Sequence, residues 1–248
     1  MDMDLKDNFQ RLWKKYFKTA ELPIVFYYAD DDKQAATGKV PKGHRCIIGD
    51  LGRVRHGTSM KFDAETIGCG GGLRYLGFTE TIRPEFEYFL SYGIPGKFEG
   101  ERYKKTPEMV LRVMKGMPVF KAPSRFIVFK RWDKLQATDE PLVAIFLASP
   151  DTLSGLFTLA NYDREDVNGV FSPFGAGCAT IVQYPYMESN AAQPRAVIGM
   201  LDVSARPCVH ANAVSFAVPM ARLVQMIANA EESFLITPSW RKVSRRIV

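Results

Sequence analysis

The sequence predicts an α+β or α/β domain, a mixed β-sheet with helices packed on it. Three observations point there. Short runs rich in β-branched and aromatic residues, "PIVFYYA" (23–29) and "PLVAIFLAS" (141–149), have the length and composition of buried strands. Other segments carry apolar residues at helical spacing; Leu5, Phe9, Leu12, Trp13 and Tyr16 recur every three or four positions. Finally, the order strand, helix, strand, glycine–cysteine loop, helix occurs twice. This predicts two degenerate repeats, at about 21–117 and 139–232. No Pro/Gly/Ser-rich linker separates them, so all 248 residues are expected to share one compact domain.

The elements follow in order. The helix over 5–17 precedes the strand over 23–29. Asp30, Asp31 and Asp32 are expected on a solvated loop. "RCIIGDLGRVRHG" (45–57) has a helical apolar pattern, with Gly57 as its cap. "TSMKFDA" reads as the next strand, and then comes "ETIGCGGGLRYLGF" (65–78), a glycine-rich loop opening a short helix. In the second half, "PLVAIFLAS" is followed by a helix with Ser149 as cap and Pro150 in its first turn. "VNGVFSP" reads as a strand, and "FGAGCATIVQYPY" places Cys178 before another helix-like run. Gly68-Cys69 thus corresponds to Gly177-Cys178, and Arg74-Tyr75 to Gln183-Tyr184. "YGIPGKFEG…TPEMVLRVM" matches "FAVPMARLVQMI" as strand, Pro step and helix. "KAPSRFIVFKRWDKL" (121–135), between the repeats, reads as an edge strand or hairpin.

Composition narrows the function classes. Hydrophobic residues make up 46% and charged residues 24%, a globular mix that builds a core without staples. Four scattered cysteines without a CxxC argue against a disulfide framework. The start is polar and acidic, unlike a signal peptide, and no apolar run approaches the ~20 residues of a membrane helix. A cytoplasmic protein with reduced thiols is expected. The net charge of +6 is scattered apart from the tail "SWRKVSRRIV", and no nucleic-acid-binding motif is present.

The glycine–cysteine loops carry the candidate chemistry. Glycines let backbone amides approach a ligand, and a helix's first turn offers unpaired N–H groups. Gly70, Gly71 and Gly72 are therefore expected to hold a small anion: a carboxylate, a phosphate ester or an acyl compound. Arg74 supplies the countercharge, and Tyr75 lies beside it. The loop is neither a P-loop nor a dinucleotide fingerprint. Cys69 and Cys178, each at a helix start, are the candidate nucleophiles, because a helix N-terminus favours thiolate. The two loops are expected to face each other across one pocket. Packing is the competing reading for each thiol. Asp63 and Glu65 are placed to line the mouth of the first loop, without a favoured acid–base role. His44 and His56 have no assigned role.

A second class is a redox or metal protein with Cys69, Cys178 and Cys208 as ligands, His210 assisting, although the clustered spacing of iron–sulfur sites is absent. Cys46, in an apolar run, reads as core. A third class is a non-enzymatic interaction module. Cofactor, metal and oligomeric state are not specified by any motif.

"FDAETIGCGGGLRYLGF" followed by "YFLSYGIPGK" resembles domain-of-unknown-function family 169, an archaeal conserved region. The family pattern is a Cys-Gly-Gly loop, a Tyr-Leu/Thr-Gly step and a downstream small-residue-Pro-Gly element. Here these are Cys69-Gly70-Gly71, Tyr75-Leu76-Gly77 and Ile94-Pro95-Gly96, and the likeness is strongest over 62–96. The resemblance implies a prokaryotic-type cytoplasmic protein and a single duplicated domain. It implies no particular activity.

Overall fold

An eight-stranded mixed sheet runs through the centre of the computed structural model, which describes residues 1–247. Its strands are β1 (Ile24–Ala29), β2 (Ala36–Thr37), β3 (Met60–Phe62), β6 (Phe126–Arg131), β7 (Val143–Ala148), β8 (Val170–Phe171), β9 (Ala196–Gly199) and β10 (Val214–Pro219). β4 (Gly93–Ile94) and β5 (Phe98–Glu99) form a separate two-stranded sheet. The main order is β2-β3-β6-β1-β7-β10-β9-β8. β1 and β7 are antiparallel neighbours at the centre, with Ile24 opposite Ile145. Outward from them each pairing is antiparallel until the last, where β2 lies parallel to β3 and β8 parallel to β9.

Period-2 alternation sends side chains to both faces of the sheet, and both are covered. Val25, Ala144, Phe146, Phe216 and Val218 pack under α1 (Met3–Phe17), α6 (Pro150–Leu159), α8 (Met220–Asn229) and α9 (Pro238–Ser244). Ile24, Phe26, Phe129, Val143 and Ile145 face α2 (Ile47–Arg55) and α3 (Gly70–Tyr75). The remaining helices are α4 (Phe86–Phe89), α5 (Pro107–Gly116) and α7 (Tyr184–Glu188). Ser149 caps α6, accepting the Thr152 N–H at 3.4 Å, and Pro150 lies in its first turn. The basic tail folds onto the molecule: the Trp240 Nε1–H donates to Tyr16 O at 3.1 Å, and Arg246 pairs with Asp151 at 3.0 Å. Among the described residues, no helix is long and apolar enough to cross a membrane.

Several expectations change. The run 121–135 is not an edge: β6 lies inside the sheet between β3 and β1. Phe126, Ile127, Val128 and Phe129 are all buried, as a strand covered on both faces requires. Residues 92–100 do not join the main sheet as β10 does; they form the small β4–β5 pair. The strand that mirrors β10 across the centre is β6. "TSMKFDA" and "VNGVFSP" also differ in place. β3 lies one strand inside its edge, and β8 is the edge itself. The first glycine–cysteine loop therefore joins β3 to β6 through long insertions, and the second joins β8 to β9. The strand order is symmetric about β1 and β7, yet the internal duplication with those equivalences is not confirmed. The run after Cys178 starts as a π-helical turn (Ala179–Gln183) before α7.

Asp32 is not solvated. Its carboxylate sits 2.8 Å from the Nζ of Lys130, whose residue is only 1% exposed. Asp139 accepts from the same ammonium at 2.9 and 3.1 Å. The Tyr27 hydroxyl lies 2.5 Å from Asp32 and 2.8 Å from Asp139. Burial raises the Asp32 carboxyl, but the hydrogen bonds from Lys130 and Tyr27 outweigh it and hold the pKa at about 2.

Candidate functional site

The two glycine–cysteine loops meet on the α2/α3 face of the sheet. There they wall a cavity of about 350 Å³. Residues 79–120, including α4, β4, β5 and α5, form a cap over it. The Tyr103 hydroxyl accepts the Ser204 N–H at 3.0 Å, and the Lys104 Nζ lies 3.9 Å from the centre of the Phe174 ring. Gln183 Nε2 donates to Pro118 O at 2.7 Å, tying the π-helical turn to the loop by which the chain leaves the cap.

Cys69, Gly70, Gly71, Arg74 and Tyr75 line one side, and Cys178 with Gly175, Ala176 and Gly177 lines the other. Cys69 is the N-cap of α3, and its Sγ accepts the Gly72 N–H at 3.2 Å. That bond removes Gly72 from the expected anion site. A Cβ there would lie 2.7 Å from Ile67 Cγ2, so this glycine serves close packing. Gly70 and Gly71 are different. A Cβ at Gly70 meets nothing within 4 Å, and at Gly71 it meets only the Tyr75 ring, at 3.6 Å. As first-turn residues, both carry N–H groups without intrahelical acceptors.

Arg74 is 7% exposed. Its Nη1 donates to Glu80 O, while its buried Nε has no partner. Among the described residues, no carboxylate lies within ion-pair distance of this guanidinium. Tyr75 is pushed up to about 12, first by burial and then by the neighbouring Cys178, so its hydroxyl stays protonated. Across the cavity, Asp202 has a buried Oδ1 without a partner, and burial raises its carboxyl above the usual range. Asp202, Ser204 and the cap residues escaped the sequence reading, because no local motif marks them.

The thiols depart from expectation. Burial pushes Cys69 up, and the opposing Gly72 and Ile47 backbone hydrogen bonds do not reverse it. Burial also raises Cys46, and it raises Cys178 well above the ordinary thiol range. A helix of six residues adds little stabilising field, so desolvation decides the direction. That direction runs against the thiolate expected at these helix starts.

Cys46, expected in the core, caps α2 and lines the cavity. Cys208 neighbours Cys46 and adds to the upward push on its thiol. His210 is exposed, and its Nδ1 accepts the Asn212 N–H at 3.3 Å, so it makes no pair with Cys208. Asp63 bonds to its own turn through Thr66 and does not line the cavity, and neither does Glu65. His44 does line it, and His56 does not. Among the described residues, no three Cys, His, Asp or Glu side chains gather as metal ligands.

The model of domain-of-unknown-function family 169 (DUF169), described as an uncharacterised ArCR, matches residues 14–229. No curated protein and no solved structure matches the chain. The matched stretch spans every cavity wall and the whole of the main sheet, and the chain belongs to this family.

Proposed function

We propose that this DUF169 protein binds a small anionic molecule in the cavity between its two glycine–cysteine loops. One observation carries the reading. Arg74 is a buried guanidinium that lines the cavity, with no carboxylate partner among the described residues. A buried cation without a counter-ion is costly, and an anionic ligand supplies one. The open Gly70 and Gly71 allow close approach to the same place. Tyr75, protonated, is available to hydrogen-bond the ligand. Cys69 and Cys178 act here as polarisable wall, since their raised pKa values disfavour attack by thiolate. A reducing cytoplasmic setting belongs to this reading, and all four cysteines are free.

Native mass spectrometry of gently purified protein is the test. A retained acidic molecule, lost in Arg74→Gln, is the expected result. An unliganded spectrum for both, with no binding to any offered anion, would defeat the reading.

A second reading, thiol redox, has the contact between Cys46 and Cys208 in its favour. Peroxide would convert the two thiols to one disulfide with release of two waters. The intact mass would then fall by two hydrogens.

A further inference from the structure

We infer that the ligand is a monocarboxylic acid with an apolar body, its carboxylate at Arg74 and its tail under the cap. This rests on the anion-binding reading above and narrows it. The head-group argument starts from the guanidinium. Nη1 is occupied by Glu80 O, and Nε has no partner. Nη2 likewise bonds to no protein acceptor among the described residues. The Nε/Nη2 edge is the side-on fork that matches the two oxygens of a carboxylate.

Two other cations line the wall, each over an aromatic ring and each keeping its charge. The Arg83 guanidinium stacks 4.0 Å from the centre of the Phe89 ring, and Lys104 lies over Phe174. Asp202 shares the cavity and opposes a second negative charge. Arg74 is the buried guanidinium of this wall and shares the cavity with a carboxyl group, an arrangement that suits a monoanion better than a phosphate dianion.

The tail argument starts from the cap. Phe86, Val110, Val113, Met114 and Met117 present apolar side chains to the cavity, and Ile48 faces them from α2. At roughly 30 Å³ per water-sized group, 350 Å³ holds about a dozen non-hydrogen atoms. That is a carboxylate plus a chain of about seven to nine carbons, or an aromatic acid of similar bulk.

Isothermal titration with the straight-chain acids from butanoate to dodecanoate tests this, with 1-octanol, octyl phosphate and inorganic phosphate as comparison probes. Affinity should rise about threefold to fourfold per methylene, the usual return for burying one. It should peak near octanoate or decanoate and fall beyond. Octanol and octyl phosphate should each bind at least about tenfold more weakly than octanoate, having lost the matched charge-assisted pair. Met114→Trp fills the tail end and should move the optimum to shorter acids. Met114→Ala should move it to longer ones, so the inference stays testable if the larger residue disturbs folding. Binding without chain-length dependence, or inorganic phosphate binding as tightly as octanoate, would overturn the inference while leaving the anion site intact. If none of the anions binds, the site reading fails and this inference fails with it.

Discussion

Lys130→Met removes the one ammonium that holds Asp32, Asp139 and Tyr27 together, and leaves two carboxylates in a place shielded from water. Lys130 is 1% exposed, with carboxylate oxygens at 2.8, 2.9 and 3.1 Å. Breaking a buried pair by deleting one partner costs about 3–5 kcal/mol, because the remaining charge is uncompensated. For a chain of this size, 1 kcal/mol moves Tm by roughly 2–4 °C, so a drop of about 6–20 °C is expected in a thermal melt at pH 7. The loss also has a definite pH signature. The Asp32 pKa is lowered in the fold to about 2 from an ordinary 3.8. Its stabilisation is therefore present above the ordinary carboxylate pKa and lost as pH falls towards 2. In the variant, acid neutralises the stranded carboxylates and relieves their repulsion. The gap between the two proteins should narrow steadily from pH 7 to pH 3. A Tm loss under about 2 °C, or a loss equal at pH 7 and pH 3, would refute the buried-network account.

Other expectations follow from the same geometry. Gly199→Ala would place a Cβ 2.0 Å from Thr180 Oγ1, the hydroxyl that donates to Gly177 O at 2.9 Å and accepts the Met200 N–H. Overpacking there should cost about 1–3 kcal/mol in denaturant melts and disturb the Cys178 turn, and an unchanged midpoint would contradict it. Cys178 should react with a maleimide only after unfolding, and Cys69 more slowly than free cysteine at pH 7, with the Cys69 rate climbing as pH passes 9. Native labelling of either faster than free cysteine would show that the field at α3 outweighs burial. For stability the sign is the same. Raised thiol pKa values contribute below the unfolded value and lose that contribution as pH rises through the folded one, so alkaline melts should show a falling Tm.

Local pattern was enough for α1, β1, β7, α6 and α8, where an apolar run or a helical period extends over six or more residues. It was enough, too, to place Cys69 and Cys178 on one cavity, because glycine beside a cysteine at a helix start occurs twice in this chain. It failed at β6. "FIVFKRW" ends in charges and looks like an edge, but Lys130 is neutralised by Asp32 and Asp139, partners supplied by tertiary structure. At the thiols the helix start was legible and the burial that raises their pKa values was not, since a helix start is local and burial is not. In sequence Gly72 is indistinguishable from Gly70 and Gly71; the Cys69 thiol bonded to its N–H and the approach of Ile67 separate it from them. In the cap, "TPEMVLRVM" was legible as the helix α5, but the rest was not, because a four-residue helix and two-residue strands are too short to show a period.

The central claim is that Arg74 is the counter-charge for a bound anion, and calorimetric titration of octanoate into the wild-type protein and Arg74→Gln measures it directly. Thermal melts of both check that the fold is retained. Losing a direct charge-assisted bond costs about 1.5–3 kcal/mol, so the variant should bind roughly 10- to 150-fold more weakly. The wild-type affinity should weaken with added salt less steeply than for an exposed pair, because the guanidinium is buried. Equal affinity in the two proteins would contradict the account.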